Sequence, residues 1–226
     1  MDYIVASTKD WNKEFFDKES KSLVGNWYFS STPDELLRLL ESIAPRYIFF
    51  PHWSWIVPKE IFEKYECVCF HMTDLPFGRG GSPLQNLILQ GYKETVLTAL
   101  RMEENVDTGP IYYKKPLNLN GSAYEIYKRA GRLCWKMITD FIEENPNPLP
   151  QNGKVTNFIR RKPNQSLITE DLSLEEIYNH IRMLDAPGYP KAFIETKKFR
   201  LEFECANYKD NELTAKVNFV TRKHNV

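Results

Sequence analysis

Residues 26–50 read NWYFSSTPDELLRLLESIAPRYIFF, and this stretch decides the fold. Its two ends, Asn26 to Phe29 and Tyr47-Ile48-Phe49-Phe50, are runs that predict strands. Between them Thr32 stands as a helix N-cap, Pro33 suits the first helical position and Glu35 completes a capping box. Leu36, Leu37, Leu39, Leu40 and Ile43 follow at helical spacing, and Pro45 stops the helix. Upstream, Tyr3-Ile4-Val5-Ala6 predicts a buried first strand. Downstream, a short helix is expected over Lys59 to Lys64 and a fourth strand over Cys67-Val68-Cys69-Phe70. Strand and helix in alternation predict an α/β, Rossmann-like, doubly wound sheet, mostly parallel, with helices on both faces. Ligands of such folds gather at the carboxyl ends of the strands, so the segments after Phe50 and Phe70 are the places to search.

Further along, a helix is predicted from near Ser82, strands over Thr95 to Met102 and Ile111 to Pro116, and a long amphipathic helix over Ser122 to Glu144. The proline-rich run Asn145 to Pro150 ends that helix. Ser173-Leu174-Glu175-Glu176 is a second capping box, opening a helix to Leu184, and Ala192 to Val220 alternates as two or three strands would. The expected division is a main domain over 1–168 and a small appendage over 169–226, a helix plus a β-hairpin or small sheet.

The chain of 226 residues is long enough to bury a core, and hydrophobic residues make up 42% of it. Thirty basic residues balance 30 acidic ones, which argues against a dedicated nucleic-acid binder. Cys67 and Cys69 do not make a C-x-x-C motif, and no His, Cys and carboxylate cluster has metal-ligand spacing, so no metal is expected. Without a signal peptide or an apolar run of membrane length, a cytoplasmic protein with reduced thiols and no membrane partner is expected.

The chemistry concentrates in His71-Met72-Thr73-Asp74-Leu75-Pro76-Phe77-Gly78-Arg79-Gly80-Gly81-Ser82-Pro83-Leu84-Gln85. An imidazole follows directly on an apolar strand, and three glycines permit close backbone approach to a ligand. Asp107, 36 residues after His71, sits where another strand ends, in Asn105-Val106-Asp107-Thr108-Gly109. A His and an Asp on neighbouring strand ends can pair, the carboxylate favouring the charged imidazole and fixing its orientation.

His71 through Gln85 resembles the H-x-S-L-L-P-x-x-R-G-x-x-P-x-Q signature of enzymes that use N10-formyltetrahydrofolate, and Asp107-Thr108-Gly109 resembles their D-T-G. The family includes methionyl-tRNA, glycinamide ribonucleotide and sugar N-formyltransferases. The resemblance implies formyl transfer to an amine, with His71 stabilising the developing oxyanion and Asp107 holding His71 and relaying a proton. It places the pterin of the donor against Trp55, Ile56 and Val57 and against Arg101, Met102, Glu103, Glu104 and Asn105. Ser7, Lys9, Thr73, Asp74, Pro76, Gly78, Arg79, Gly80 and Gly81 are then the expected substrate contacts. One departure stands out: the family's Asn two positions before the His is Cys69 here, at best a weak donor. Either another group supplies the donor, with His52, Asn86 and backbone amides as candidates, or the site depends more on a charged His71, with Cys69 kept as a candidate catalytic residue.

The wording around His71, together with Ile181-Arg182-Met183-Leu184-Asp185, resembles enzymes that formylate UDP-linked 4-amino-4,6-dideoxy sugars on the route to pseudaminic-acid-type surface glycans. The expected acceptor is therefore a nucleotide-linked amino sugar. A tRNA acceptor is disfavoured by the short tail after Ile194 and the neutral charge balance, so no nucleic-acid partner is expected. A homodimer through the C-terminal region follows by analogy alone. An aminoacyl carrier or ribonucleotide as acceptor, a formyltetrahydrofolate hydrolase, and a non-catalytic folate or nucleotide-sugar binding protein are the alternatives.

Overall fold

A computed structural model describes residues 1–221. The end of the expected appendage, 222–226, lies outside the described residues. The chain divides into two compact units, one of Met1–Gly80, Thr95–Leu117 and Lys128–Asn157, the other of Gly81–Glu94, Asn118–Tyr127 and the residues from Phe158 onward.

The strands are β1 (Asp2–Ala6), β2 (Asn26–Ser30), β3 (Tyr47–Phe50), β4 (Glu66–His71), β5 (Arg79–Gly80), β6 (Glu94–Arg101), β7 (Ile111–Asn118), β8 (Asn157–Phe158), β9 (Ala192–Glu195), β10 (Phe199–Lys209) and β11 (Glu212–Thr221). The α-helices are α1 (Asp10–Glu19), α2 (Pro33–Ser42), α3 (Lys59–Phe62), α4 (Pro83–Leu89), α5 (Ala123–Glu144) and α6 (Leu174–Arg182).

The first unit is built on a six-stranded sheet ordered β2-β1-β3-β4-β6-β7. β1 pairs in parallel with β2 and β3, and β3 with β4, whereas β4 pairs antiparallel with β6. The parallel part has helices on both faces, as the alternation predicts. Period-two alternation decides which residue faces which helix. Ile4, Ile48, Phe50 and Cys67 share a cluster with Leu36, Leu39, Leu40 and Ile43 of the α2 region and Ile61 of α3. Tyr47 and Phe49 point the other way and set their rings 5.4 Å from Phe141 of α5.

Helix α2 starts as read, with one shift. The Thr32 hydroxyl accepts the Glu35 N–H at 3.2 Å, but the Glu35 carboxylate reaches past the N-cap to the N–H of Ser31 at 2.7 Å. Helix α1 answers to no predicted element. It is mostly charged, and it is tied down by Asn12, whose amide donates to the Ser7 hydroxyl at 2.8 Å and to the Pro51 carbonyl at 2.9 Å.

In the second unit, α6 opens on the predicted capping box, with Ser173 and Glu176 each bonding the other's backbone. Three antiparallel strands, β11-β10-β9, form a small sheet. Buried Gln85 of α4 donates to the Tyr127 hydroxyl at 3.0 Å and to the Met183 carbonyl at 3.1 Å. Among the described residues, no helix is long and apolar enough to cross a membrane.

Candidate active site

β4 runs through the core and ends on His71, 7% exposed. Its Nδ1 lies 3.5 Å from Asp107 Oδ2, and its Nε2 lies 2.8 Å from the Gly78 carbonyl. A carbonyl only accepts, so Nε2 carries a proton, while Nδ1 faces the carboxylate. Both side chains of the pair are at least nine-tenths buried, in surroundings that strengthen the interaction.

Asp107 adopts a left-handed conformation, φ 57°. Its carboxylate accepts the backbone N–H of Gly80 at 2.9 Å, and Gly80 itself has φ 100°, a region that glycine enters freely. The loop between β4 and β5 is laced down by short bonds. Thr73, fully buried, takes the Thr98 hydroxyl on its carbonyl at 2.6 Å. Gly78 N–H donates to the Thr156 hydroxyl at 2.7 Å, Arg79 N–H to the Thr156 carbonyl at 3.0 Å, and Thr156 N–H returns to the Pro76 carbonyl at 3.2 Å. Asp74 pairs with Lys114 at the surface.

The Arg79 guanidinium is turned to Gln151 Oε1, at 3.2 Å from Nε and 2.7 Å from Nη2. Neither Gln151 nor Thr156 carries a sequence signal. Both lie in irregular chain, 72 and 78 residues from their partners. Gly81 falls in the second unit, its N–H donating to the Phe158 carbonyl at 3.2 Å.

Cys69, two residues before His71 on β4, is half-buried, and burial, with Asp107 nearby, pushes its thiol far above the usual cysteine range. It is a neutral thiol, not a thiolate nucleophile. The alternative donors are engaged elsewhere. His52 has φ 65° and stacks edge-on to Trp11 at 5.8 Å, and burial, helped by Lys9, lowers it to about 3. Asn86 lies in the second unit, its amide bonded to the carbonyls of Gly81, Ser82 and Ile159.

Ser7 is buried, its hydroxyl donating to the Pro51 carbonyl at 2.5 Å. Burial also pulls the Lys9 ammonium below its ordinary range, and it sits 5.6 Å from the Trp11 ring. Residues 52–55 form an irregular turn, with the Trp53 and Trp55 rings 5.0 Å apart.

Trp55 and Ile56 are exposed, while Val57 is buried in the same apolar cluster against which Met102 packs. A cavity of about 580 Å³ is lined by Arg101, Met102, Glu103 and Glu104, with Arg46, Phe62 and Tyr65 among its other walls. It opens beside the amino-terminal ends of β3 and β4, so the length of β4 separates those walls from His71. The connection from Met102 to Asp107 spans that length. Among the described residues, no group of His, Cys, Asp and Glu could hold a metal ion.

Comparison with known proteins fixes the lineage. The family described as formyl transferase matches residues 9–130, and the methionyl-tRNA formyltransferase C-terminal domain matches residues 163–220. A structure named methionyl-tRNA formyltransferase from Clostridium thermocellum is 48% identical, with a TM-score of 0.92, covering 98% of this chain and 100% of that one. The methionyl-tRNA formyltransferase of Bacillus cytotoxicus is 33% identical over 161 residues, 67% of this chain and 51% of the relative. The chain spans about half the length of the curated relatives it matches.

A 4-N formyltransferase from Francisella tularensis covers 98% of both chains with a TM-score of 0.66, but at 17% identity it speaks for the fold alone. These relatives overturn two expectations, the nucleotide-linked amino-sugar acceptor and the absence of a nucleic-acid partner. The tail judged too short for a tRNA enzyme is the part that matches the C-terminal domain of one, and a neutral sum of charges says nothing of how they are distributed. By the family match over more than half its length, and by a relative at 48% identity that it covers end to end, the chain belongs to the formyl transferase family.

Proposed function

We propose that this protein transfers the formyl group of N10-formyltetrahydrofolate to the amine of an aminoacyl group borne on a carrier, with methionyl-tRNA as the acceptor to test first. The observation that carries the reading is the buried His71–Asp107 pair at 3.5 Å, set at the carboxyl end of a central strand. The names of the relatives supply the acceptor class.

The donor brings a one-carbon unit already activated for acyl transfer. Trp55, Ile56 and Val57 on one side and Arg101 to Asn105 on the other would hold it. His71 presents its Nε2–H to the formyl oxygen, which competes with the Gly78 carbonyl for that proton as negative charge builds. Asp107 holds the imidazole in register while the neutral acceptor amine attacks the formyl carbon; the carbon–N10 bond then breaks, and the proton the amine sheds ends on N10 of the departing tetrahydrofolate. The Cys69 thiol adds at most a weak hydrogen bond. Asp74, Arg79 and Gly80 border the acceptor's approach, with Lys9 just past the end of β1, whereas the buried Ser7, Thr73, Pro76 and Gly78 shape the backbone behind them.

We assign this chemistry to a main domain over residues 1–168, with 169–226 as a small C-terminal appendage. A cytoplasmic location is supported by four unpaired cysteines. The test is incubation with N10-formyltetrahydrofolate and methionyl-tRNA, followed by deacylation and mass analysis. Formylmethionine released in step with protein concentration supports the reading, and free tetrahydrofolate without any formylated amine overturns it.

A further inference from the structure

We propose that Gln151 is a positioning residue for the His71–Asp107 pair, fixing the backbone that carries the Asp107 carboxylate. The inference rests on the formyl-transfer reading. Gln151 Nε2 donates to two carbonyls of one turn, Asp107 and Gly109, at 2.8 Å each. Its Oε1 accepts Nε and Nη2 of Arg79 at 3.2 and 2.7 Å. These partners settle the orientation of the amide. A guanidinium only donates and carbonyls only accept, so the oxygen must face Arg79 and the NH2 must face the turn.

The contacts close a circuit. Arg79 is followed by Gly80, whose N–H donates to Asp107 Oδ2 at 2.9 Å, and the Asp107 carbonyl returns through Gln151 to Arg79. Both ends of Asp107, its carboxylate and its carbonyl, are thus tied to the same two-residue strand.

Asp107 gains from such a tie. Its φ of 57° lies in the left-handed region, which an aspartate enters more readily than most residues but at a cost, so bonds that hold its backbone there also hold its carboxylate. The Thr108 N–H and hydroxyl reach only the Asn105 carbonyl, at 3.4 and 2.9 Å, inside the same turn. Gln151 supplies the bonds from outside it. Neither the amide nor Arg79 lies against His71, so the effect on chemistry passes through Asp107.

The test uses the full chain with Gln151→Met, which keeps the side chain's length and removes all four hydrogen bonds. Two readouts are taken: kcat and KM for N10-formyltetrahydrofolate, and exchange of the Gly80 amide proton by NMR. The expected result is a kcat lower by about 10- to 100-fold with KM held within about threefold, as for misplacement of reacting groups by a fraction of an ångström. Gly80 exchange should quicken by at least about tenfold, since its acceptor is no longer held.

If Gln151→Met does not fold, Gln151→Glu takes its place. It keeps the Arg79 contact but sets an acceptor against the two carbonyls, and the same pair of changes is expected. Wild-type Gly80 protection in a folded variant overturns the proposal, as does a loss confined to KM. If the wild-type protein formylates no amine, the functional reading fails, and the Gly80 exchange alone still decides whether Gln151 holds Asp107.

Discussion

Asp107 Oδ2 stands between His71 Nδ1 at 3.5 Å and the Gly80 N–H at 2.9 Å, so one carboxylate oxygen serves both the imidazole and the loop that follows it. Asp107→Asn preserves the shape and can still accept the Gly80 N–H, but it removes the negative charge set against the imidazole. The expected loss in kcat is about 10²- to 10⁴-fold for Asp107→Asn and of the same order for His71→Asn, the range for a positioned acid–base group. Circular dichroism melts separate this from unfolding. An Asp107→Asn enzyme within threefold of wild type would remove the pair from the mechanism.

Gly109 follows Asp107-Thr108 because nothing larger fits. A Cβ there would lie 1.9 Å from the Arg101 carbonyl oxygen, part of a backbone that cannot yield as a flexible side chain does. Overpacking typically costs about 1–3 kcal/mol, and Gly109→Ala should sit at or above the upper end. Gly91→Ala is the control: its φ is +81° but the space around it is open, leaving only a conformational penalty of about 1–2 kcal/mol. Urea midpoints should fall further for Gly109→Ala, and equal shifts would contradict the steric account.

Much of this was legible because it is local. Apolar runs marked β1 to β4, the Ser173 box marked α6, and a histidine at the end of an apolar strand marked the site. The antiparallel pairing of β4 with β6 was not legible, since direction depends on where a connection returns and not on the composition of either strand. Helix α1 was missed because its buried positions, Trp11 and Asn12, are too few to give a periodic signal. Gln151 and Thr156 were invisible for a third reason. They act through partners far along the chain, Gln151 through the Arg79 side chain 72 residues away and Thr156 through the Gly78 backbone 78 away, and a lone Gln or Thr in a Pro- and Asn-rich segment reads as solvent-facing chain. The acceptor was misjudged from the wording around His71 and over residues 181–185, from the length of the tail, and from a whole-chain charge sum, which averages away any local surface.

The Cys69 thiol is held protonated by burial and by Asp107, so it cannot serve as a nucleophile near neutral pH. Cys69→Ala should keep kcat within about threefold, because the hydrogen bond it loses is weak. Iodoacetamide should label Cys205, which is exposed, and spare Cys69. Rapid alkylation of Cys69 with loss of activity would reverse the assignment. Cys69→Asn is the converse trial: an amide donor there should raise kcat, toward the ~10²- to 10³-fold that an oxyanion donor can supply, if the strand has room for it.

His52 should make stability fall as the protein is acidified from neutral pH. Burial, with a smaller push from Lys9, lowers it from 6.5 to about 3 in the folded chain. Between those values the unfolded chain binds a proton that the folded chain refuses, so acid favours unfolding. The stabilisation is complete above about pH 6.5 and drains by up to about 1.4 kcal/mol per pH unit until the folded value is reached. From about pH 7 to about pH 5 the expected loss from this residue is about 2 kcal/mol. His180, also held down by burial, adds to the loss in the same direction, so wild type alone does not isolate His52. His52→Asn does, because Asn tolerates the φ of 65° and does not titrate. Urea denaturation at the two pH values should show a smaller acid loss in the variant. Equal losses in the two proteins would mean that His52 is protonated alike in the folded and unfolded chain.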